Sequence, residues 1–248
     1  MKLRIGHLYP AELGINGDVG NVLVLEQRAR ARGHEVEIVD VGVGDDLPGD
    51  IDIVHIGSGP FAAVRAVQPD ALRLATVLRD LRGTGVPILA IGGGWELLGR
   101  RIVHDDGTLD GLDVFPTEVV RETTQSVGET VIETRSGTVT GFANHSGRTT
   151  LDADVEPLGR VRRGFGNDGS AAKDAGAEGV RIGASIGTHL HGCVLGMNPD
   201  LADEILSAAL ARREPDAHLA PVTGELAQID EWARRSRAAL AQRVGYSD

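Results

Sequence analysis

The sequence predicts an α/β fold with a mainly parallel central sheet, helices on both faces and an antiparallel section in the middle. Strand-like and helix-like patterns alternate over residues 3–101, an order typical of parallel sheets because parallel neighbours need a crossover connection. Between residues 111 and 150 apolar residues alternate with polar and glycine residues, which indicates antiparallel strands that continue the same domain.

The first half of the chain supplies the alternating elements. Short apolar runs predict strands, and apolar residues at helical spacing followed by glycine predict helices. The predicted strands cover residues 3–8, 36–41, 51–56 and 87–91, and the predicted helices cover residues 21–32, 70–82 and 95–101.

The second half predicts a late strand and two more helices. The run over residues 164–179 is rich in Gly, Asp and Ala and is interpreted as a mobile loop between two strands. A strand over 183–190 ends in His191-Gly192, and helices are predicted over 198–213 and 223–243. We expect one domain over residues 1–213 and a C-terminal helical extension over residues 214–248.

Composition excludes several classes of function. The chain of 248 residues has 25 basic and 36 acidic residues, and a net charge of −11 disfavours nucleic-acid binding. No run of 18 apolar residues could span a membrane, and the N-terminus does not have the pattern of a signal peptide. The single cysteine, Cys193, excludes an internal disulfide and predicts the reducing cytoplasm. We expect neither a cofactor nor a metal.

One segment has the pattern of a nucleophile elbow. A buried strand leads through Gly92-Gly93-Gly94 directly into a helix that begins near Trp95. Such a turn suits acyl chemistry, because it presents a nucleophile beside free backbone N–H donors. Residue 92 is glycine, however, so a compact strand-to-helix turn without catalysis is the alternative.

A second segment, Thr188-His189-Leu190-His191-Gly192-Cys193, offers a general base. His191 lies at the end of a predicted strand, a usual place for a catalytic histidine. The alternatives are a structural histidine, a metal-binding His189/His191 pair, or Cys193 as a displaced nucleophile.

Two further polar runs have less specific patterns. Residues 16–21 could hold phosphate at a helix start, or Asp18 or Asn21 could cap that helix. Residues 141–149, Gly-Phe-Ala-Asn-His-Ser-Gly-Arg-Thr, are too distinctive for a generic loop, and their spacing predicts no role.

Taken in order, these segments and the glycine-rich loop over 57–59 resemble the class I glutamine amidotransferases, in the cobyric-acid-synthase-like branch, over about residues 3–210. The resemblance implies a flavodoxin-like fold and the hydrolysis of glutamine, which supplies ammonia to an ATP-dependent ligase. It also implies a nucleophile at the position of Gly92 and His191 as the base. The implied substrate contacts are Gly57, Gly59, Gly93, Glu96 and Gln125.

The chain departs from the family pattern at the reacting centre. Gly92 stands where the family has cysteine, Glu96 stands where it has glutamine, and Gln125 lies near the position of a substrate-binding arginine. The loop over 57–61 reads Gly-Ser-Gly-Pro-Phe, and Pro60 has no N–H to donate. Because no neighbouring group can replace the thiolate, we expect glutaminase activity to be weak or lost.

The resemblance also implies a partner. A Mur-ligase-like ATP-dependent synthetase would use the ammonia to amidate the D-glutamate of lipid II, a peptidoglycan precursor. The face around the elbow, with His191, would dock onto it, and Trp95 either anchors this interface or packs beneath the sheet. Two alternatives stay open: an active glutamine hydrolase that uses Cys193 and His191, and a stand-alone protein that binds a glutamine-like molecule.

Overall fold

The computed structural model describes residues 1–174 and 176–246. In chain order the first elements are β1 (Lys2–Leu8), α1 (Gly20–Arg30), β2 (Glu35–Val41), β3 (Ile53–Ile56), α2 (Phe61–Gly83), β4 (Ile88–Ile91), α3 (Gly93–Leu98), β5 (Arg101–His104), β6 (Gly107–Asp110) and β7 (Thr117–Thr134). They are followed by β8 (Gly137–Leu151), β9 (Gly159–Phe165), β10 (Ala171–Lys173), β11 (Ala177–Glu178), β12 (Val180–Ile182), β13 (Ser185–Thr188), β14 (Leu190–His191), α4 (Val194–Met197), α5 (Pro199–Arg213) and α6 (Gly224–Arg243).

The central sheet is mainly parallel, as predicted. Within the described residues it has six strands in the order β12-β13-β4-β3-β1-β2, and only β12 runs antiparallel to its neighbour. Read from the other edge, the parallel strands follow the order 2-1-3-4-5 of flavodoxin-like folds. In such sheets ligands bind beyond the carboxyl ends of the strands.

Helices cover both faces of this sheet. Side chains of a strand point alternately to its two faces, and in β4 Ile88 and Ala90 join the apolar core beneath α2. Leu89 and Ile91 join a second core, which includes the buried sides of α1 and α5. Burial on both faces explains why β4 is apolar throughout.

A second sheet contains the predicted antiparallel section. Its centre is the hairpin of β7 and β8, in which Thr134 pairs with Gly137 across a two-residue turn. The prediction of antiparallel strands over 111–150 is confirmed, although β5 pairs in parallel with β7. The short strand β14, which contains His191, pairs with β8 and so belongs to this second sheet.

Some predicted boundaries were wrong. Helix α2 begins at Phe61 and continues through Pro69, whereas the sequence predicted a start at residue 70. The run over 164–179 is not simply a loop, because β10 and β11 lie within it and pair with β9. Strands of two or three residues are too short to show a periodic pattern, and pairing with β9 determines them.

Helix α6 lies close to its predicted position over residues 223–243. Only Ala233 and Ala241 of this helix are buried among its described residues, and Trp232 is 58% exposed. The proposed division of the chain after residue 213 stays a prediction. None of the helices within residues 1–174 and 176–246 is both long enough and apolar enough to cross a bilayer.

Candidate functional site

One cavity lies at the carboxyl ends of the parallel strands. It has a volume of about 150 Å³ and is formed by the segments after β1, β3 and β4 together with strands β7 and β8 of the second sheet. Its lining residues are Ile15, Asn16, Ser58, Gly59, Pro60, Phe61, Gly92, Gly93, Glu96, Arg121, Gln125, Asn144 and His145. This is the position at which open α/β sheets bind ligands.

The turn between β4 and α3 has the backbone of a nucleophile elbow. Gly92 has φ +49° and ψ −117°, a conformation that residues with side chains rarely adopt, and its N–H donates to the carbonyl of Thr188 at 2.8 Å. The elbow predicted from the sequence is therefore present. At the position where an elbow presents its nucleophile, this chain has no side chain.

His191 lies beside this turn and is held by a buried carboxylate. Its Nδ1 is 3.2 Å from Oδ2 of Asp18, and the two side chains are 3% and 0% exposed. In the neutral ring with its proton on Nδ1, that N–H donates to Asp18 and Nε2 is the acceptor, which is the arrangement of a general base. A Cβ built on Gly92 would stand 3.1 Å from that Nε2.

One interpretation of the sequence was that Asp18 or Asn21 caps helix α1, and this interpretation was wrong. The residue that precedes α1 is Val19, without a side-chain cap, and Asn21 lies inside the helix. The Asn21 side chain accepts the N–H of Leu195 at 3.0 Å, which ties α1 to the segment after His191. The sequence reasoning missed the pairing of Asp18 with His191. Only the position of Asp18 in the polar run after the first strand could have suggested it.

Glu96 is buried in an ion pair with Arg121. Glu96 is 2% exposed, and the Arg121 guanidinium also lies 4.5 Å from the centre of the Phe61 ring. Burial raises the pKa of Glu96, and the charge of Arg121 opposes that rise. Arg121 was not singled out in the sequence. The pairing of β7 with β8 shifts register between Arg121 and Ser126, an irregularity that a periodic pattern does not reveal.

The other predicted contact residues are brought together in part. Gln125 lines the cavity and its Nε2 donates to Oδ1 of Asn144 at 3.1 Å. Gly59 and Gly93 also line it, whereas Gly57 is not one of its lining residues. A Cβ on Gly57 would come within 2.2 Å of the Leu13 carbonyl, so its role here is close packing of the loop.

A stack of buried rings lies under the cavity. His145 stacks on His189 with 4.0 Å between ring centres, and His189 lies 4.5 Å from Trp95. Burial lowers the pKa of His145 to about 4 and lowers that of His189 as well, so both rings are neutral at pH 7. Trp95 is 1% exposed and packs against Gly187. The alternative in which Trp95 packs inside the fold is therefore confirmed, and its role as an exposed anchor is wrong.

Cys193 packs against glycines of α1 and α4. Its Sγ is 2.8 Å from the Cβ position of Gly20 and 3.1 Å from that of Gly196. Burial raises the pKa of the thiol, which reduces the thiolate fraction that a nucleophile needs.

Solved structures of glutamine amidotransferases share this fold. One from Thermotoga maritima is 15% identical with a TM-score of 0.53, and the match covers 97% of this chain and 94% of that one. A second glutamine amidotransferase is 17% identical with a TM-score of 0.55, over 83% of this chain and 98% of that one. The molecule therefore has the class I glutamine amidotransferase fold.

The family is shown by the sequence comparisons. The model of the CobB/CobQ-like glutamine amidotransferase domain matches residues 4–199, and the chain belongs to this family. It is 33% identical to the lipid II isoglutaminyl synthase (glutamine-hydrolyzing) subunit GatD of Staphylococcus aureus (strain N315), over 86% of each chain.

Two further relatives extend the comparison. The GatD subunit of Streptococcus pneumoniae (strain ATCC BAA-255 / R6) is 32% identical over 86% of this chain and 82% of that one. A probable cobyric acid synthase of Methanothermobacter thermautotrophicus is 30% identical over 64% of this chain but only 33% of that protein. The resemblance stated from the motifs is thus confirmed at the level of the family.

Proposed function

We propose that this chain is the glutamine amidotransferase-like subunit of a lipid II isoglutaminyl synthase, and that it does not itself hydrolyse glutamine. The observation that carries the second part is Gly92, because the elbow has no group to attack an amide carbon. Without a covalent intermediate, attack by a base and water on a primary amide is slower by orders of magnitude. Similarity to the GatD subunits over 86% of the chain supports the first part.

The partner in this proposal is a Mur-ligase-like, ATP-dependent synthetase in the cytoplasm. It would amidate the D-glutamate of lipid II and take free ammonia in place of ammonia from glutamine. The face around the elbow would dock onto it in a 1:1 heterodimer, with residues 214–248 as an extension of the domain over 1–213.

The cavity in this proposal keeps affinity for glutamine or a molecule like it. Gly59, Gly93, Glu96 and Gln125 line the cavity and would contact that ligand. His191 would keep the position of the base without a nucleophile to activate. A ligand that binds without being hydrolysed would lie next to the face that docks onto the synthetase.

Co-expression with the Mur-ligase-like chain of the same genome tests the proposal. We expect the two chains to elute together in size-exclusion chromatography, and the complex to amidate lipid II with ammonium chloride but not with glutamine. The Staphylococcus aureus GatD subunit with its own synthetase is the matched control for the glutamine-dependent reaction.

Two results would contradict the proposal. Separate elution at micromolar concentration would remove the support for a subunit. Ammonia release from glutamine that is lost in Cys193→Ser would instead favour the hydrolase in which Cys193 acts with His191.

A further inference from the structure

Ser58 lies in the wall of the cavity with each of its polar atoms bonded. Its N–H donates to Oδ2 of Asp18 at 3.1 Å, and its carbonyl accepts the N–H of Ile15 at 3.1 Å. Its Oγ accepts the N–H of Gly93 at 3.0 Å. The residue is 5% exposed, so two backbone bonds fix the residue and the bond from Gly93 orients its hydroxyl.

The bond to Gly93 uses the donor that an acyl reaction at this elbow would need. In a nucleophile elbow, the N–H of the residue after the nucleophile stabilises the oxyanion that forms on the attacked carbonyl. Residue 93 follows the nucleophile position, and its N–H is directed at the Ser58 hydroxyl. A substrate carbonyl would have to displace that hydroxyl before it could be activated.

The Ser58 hydroxyl also occupies space that a side chain at residue 92 would need. A Cβ built on Gly92 would lie 2.7 Å from Ser58 Oγ and 2.7 Å from Cε1 of His191. Both distances are shorter than ordinary non-bonded contacts, so both neighbours must shift if residue 92 gains a side chain.

We propose that Ser58 and Gly92 form a mutually dependent pair. The Ser58 hydroxyl occupies the oxyanion position, and it can do so because residue 92 has no side chain. Ser58 is thus a positioning residue that closes the site to acyl chemistry. The inference rests on the proposed function in one respect, the lost hydrolysis of glutamine. It adds that the loss depends on two residues, so that a thiol at residue 92 alone does not restore the reaction.

A stability cycle tests the steric half of this pair. We expect Gly92→Ala to lower the melting temperature by about 5 °C or more, because overpacking adds to the cost of positive φ. In the Ser58→Ala background the loss should be smaller, although the close contact with Cε1 of His191 remains. Gly33→Ala is the matched control, because Gly33 has φ +81° with no atom within 4 Å of its Cβ position and so reports the backbone cost alone. Equal losses from Gly92→Ala in the two backgrounds would overturn the proposal.

Ammonia release from glutamine tests the chemical half on the purified full chain. In Gly92→Cys the new thiol would give its proton to His191, and the thiolate would attack the amide carbon. The C–N bond would break as ammonia leaves with that proton, and water would hydrolyse the thioester to glutamate and the free thiol. We expect Gly92→Cys to stay near background and Gly92→Cys/Ser58→Ala to be at least tenfold faster. Melting temperatures verify that both variants fold.

The outcomes separate this inference from the proposed function. Equal rates for the two cysteine variants, or full activity of Gly92→Cys alone, would overturn the role of Ser58 and leave the partner assay unaffected. Ammonia release by the unsubstituted chain that is lost in Ser58→Ala would also overturn it, because Ser58 would then attack the substrate. Failure of the two chains to co-elute would contradict the proposed function and leave the Ser58–Gly92 pair intact.

Discussion

The two sides of the turn at residue 92 differ in how their polar groups are paired. On the His191 side, Asp18 holds Nδ1 so that Nε2 faces residue 92, an arrangement that acid–base chemistry requires. On the elbow side, the groups are bonded to one another: the N–H of Gly93 to Ser58, and Glu96 to Arg121.

The difference shows which parts of a reaction centre can change without loss of the fold. A nucleophile has no buried partner that depends on it, so its replacement by glycine leaves the strand and the helix in place. A buried carboxylate that accepts hydrogen bonds is harder to lose, because its removal leaves donors without acceptors. The strand and helix of the elbow therefore keep their places largely through packing, whereas the base His191 keeps its place through buried polar pairs. Three measurements test this contrast.

The largest effect is expected for Trp95→Ala on the elbow side. Trp95 is 1% exposed, and truncation of a buried tryptophan costs about 3–5 kcal/mol of unfolding free energy. Urea denaturation followed by circular dichroism measures the change. Trp232→Ala is the control, since Trp232 on α6 is 58% exposed and its loss should cost less than about 0.5 kcal/mol. Similar costs for the two variants would show that packing does not hold the elbow side.

Trp95 also illustrates how far the sequence leads. The glycine-rich turn, the strand before it and the helix after it were all predictable, because apolar runs and glycines act locally. The sequence did not predict whether Trp95 faces a partner or the core. The answer depends on Gly187, which lies far away in the chain and leaves room for the ring. Position in a local pattern predicts an element, and the packing of distant elements decides which face is buried.

The candidate site shows the same limit. His191 and Gly92 were identified because each lies at a strand end, whereas Arg121 reaches the cavity from a long strand with an irregular register. Ser58 was noted only as a departure from the family pattern, and its bond to Gly93 depends on the approach of two loops. The predicted start of α2 at residue 70 lies directly after Pro69, yet the helix continues through this proline. The packing of α2 on the sheet outweighs the single hydrogen bond that proline removes.

On the His191 side, Asp18→Ala tests the polar half of the contrast. The change leaves the N–H of Ser58 and Nδ1 of His191 without their acceptor, and we expect a loss of about 2–3 kcal/mol in unfolding free energy. Asp40→Ala is the matched control, because Asp40 pairs with His7 at 3.3 Å but has a side chain that is 68% exposed. That pair should contribute less than about 1 kcal/mol. Chemical denaturation measures the unfolding free energy of both variants. A cost for Asp18→Ala no larger than that for Asp40→Ala would show that buried polar pairs do not hold the His191 side.

The third measurement concerns Glu178, a carboxylate that supports the strand end before His191. Glu178 is 1% exposed and accepts the N–H of His189 at 2.8 Å and the hydroxyl of Thr188 at 3.0 Å. Burial raises the pKa of Glu178 to about 7 from its ordinary 4.5. Since the folded state holds this proton more tightly than the unfolded state, the stabilisation is complete below pH 4.5 and is lost as pH rises towards 7.

Replacement of the Glu178 carboxylate by an amide should remove this pH dependence. Glutamine at 178 keeps an acceptor oxygen for both hydrogen bonds. The unfolding free energy of Glu178→Gln, relative to that of the unsubstituted chain, should therefore rise by about 2 kcal/mol from pH 5 to pH 8. In the control, Glu231→Gln, the arginines beside Glu231 lower its pKa to about 2, so both states are ionised throughout that range and no pH-dependent difference is expected. Urea unfolding at pH 5 and pH 8 measures both variants. If the stability difference between Glu178→Gln and the unsubstituted chain were the same at both pH values, Glu178 would carry no proton in the folded state, and the His191 side would be held by an ionised carboxylate instead.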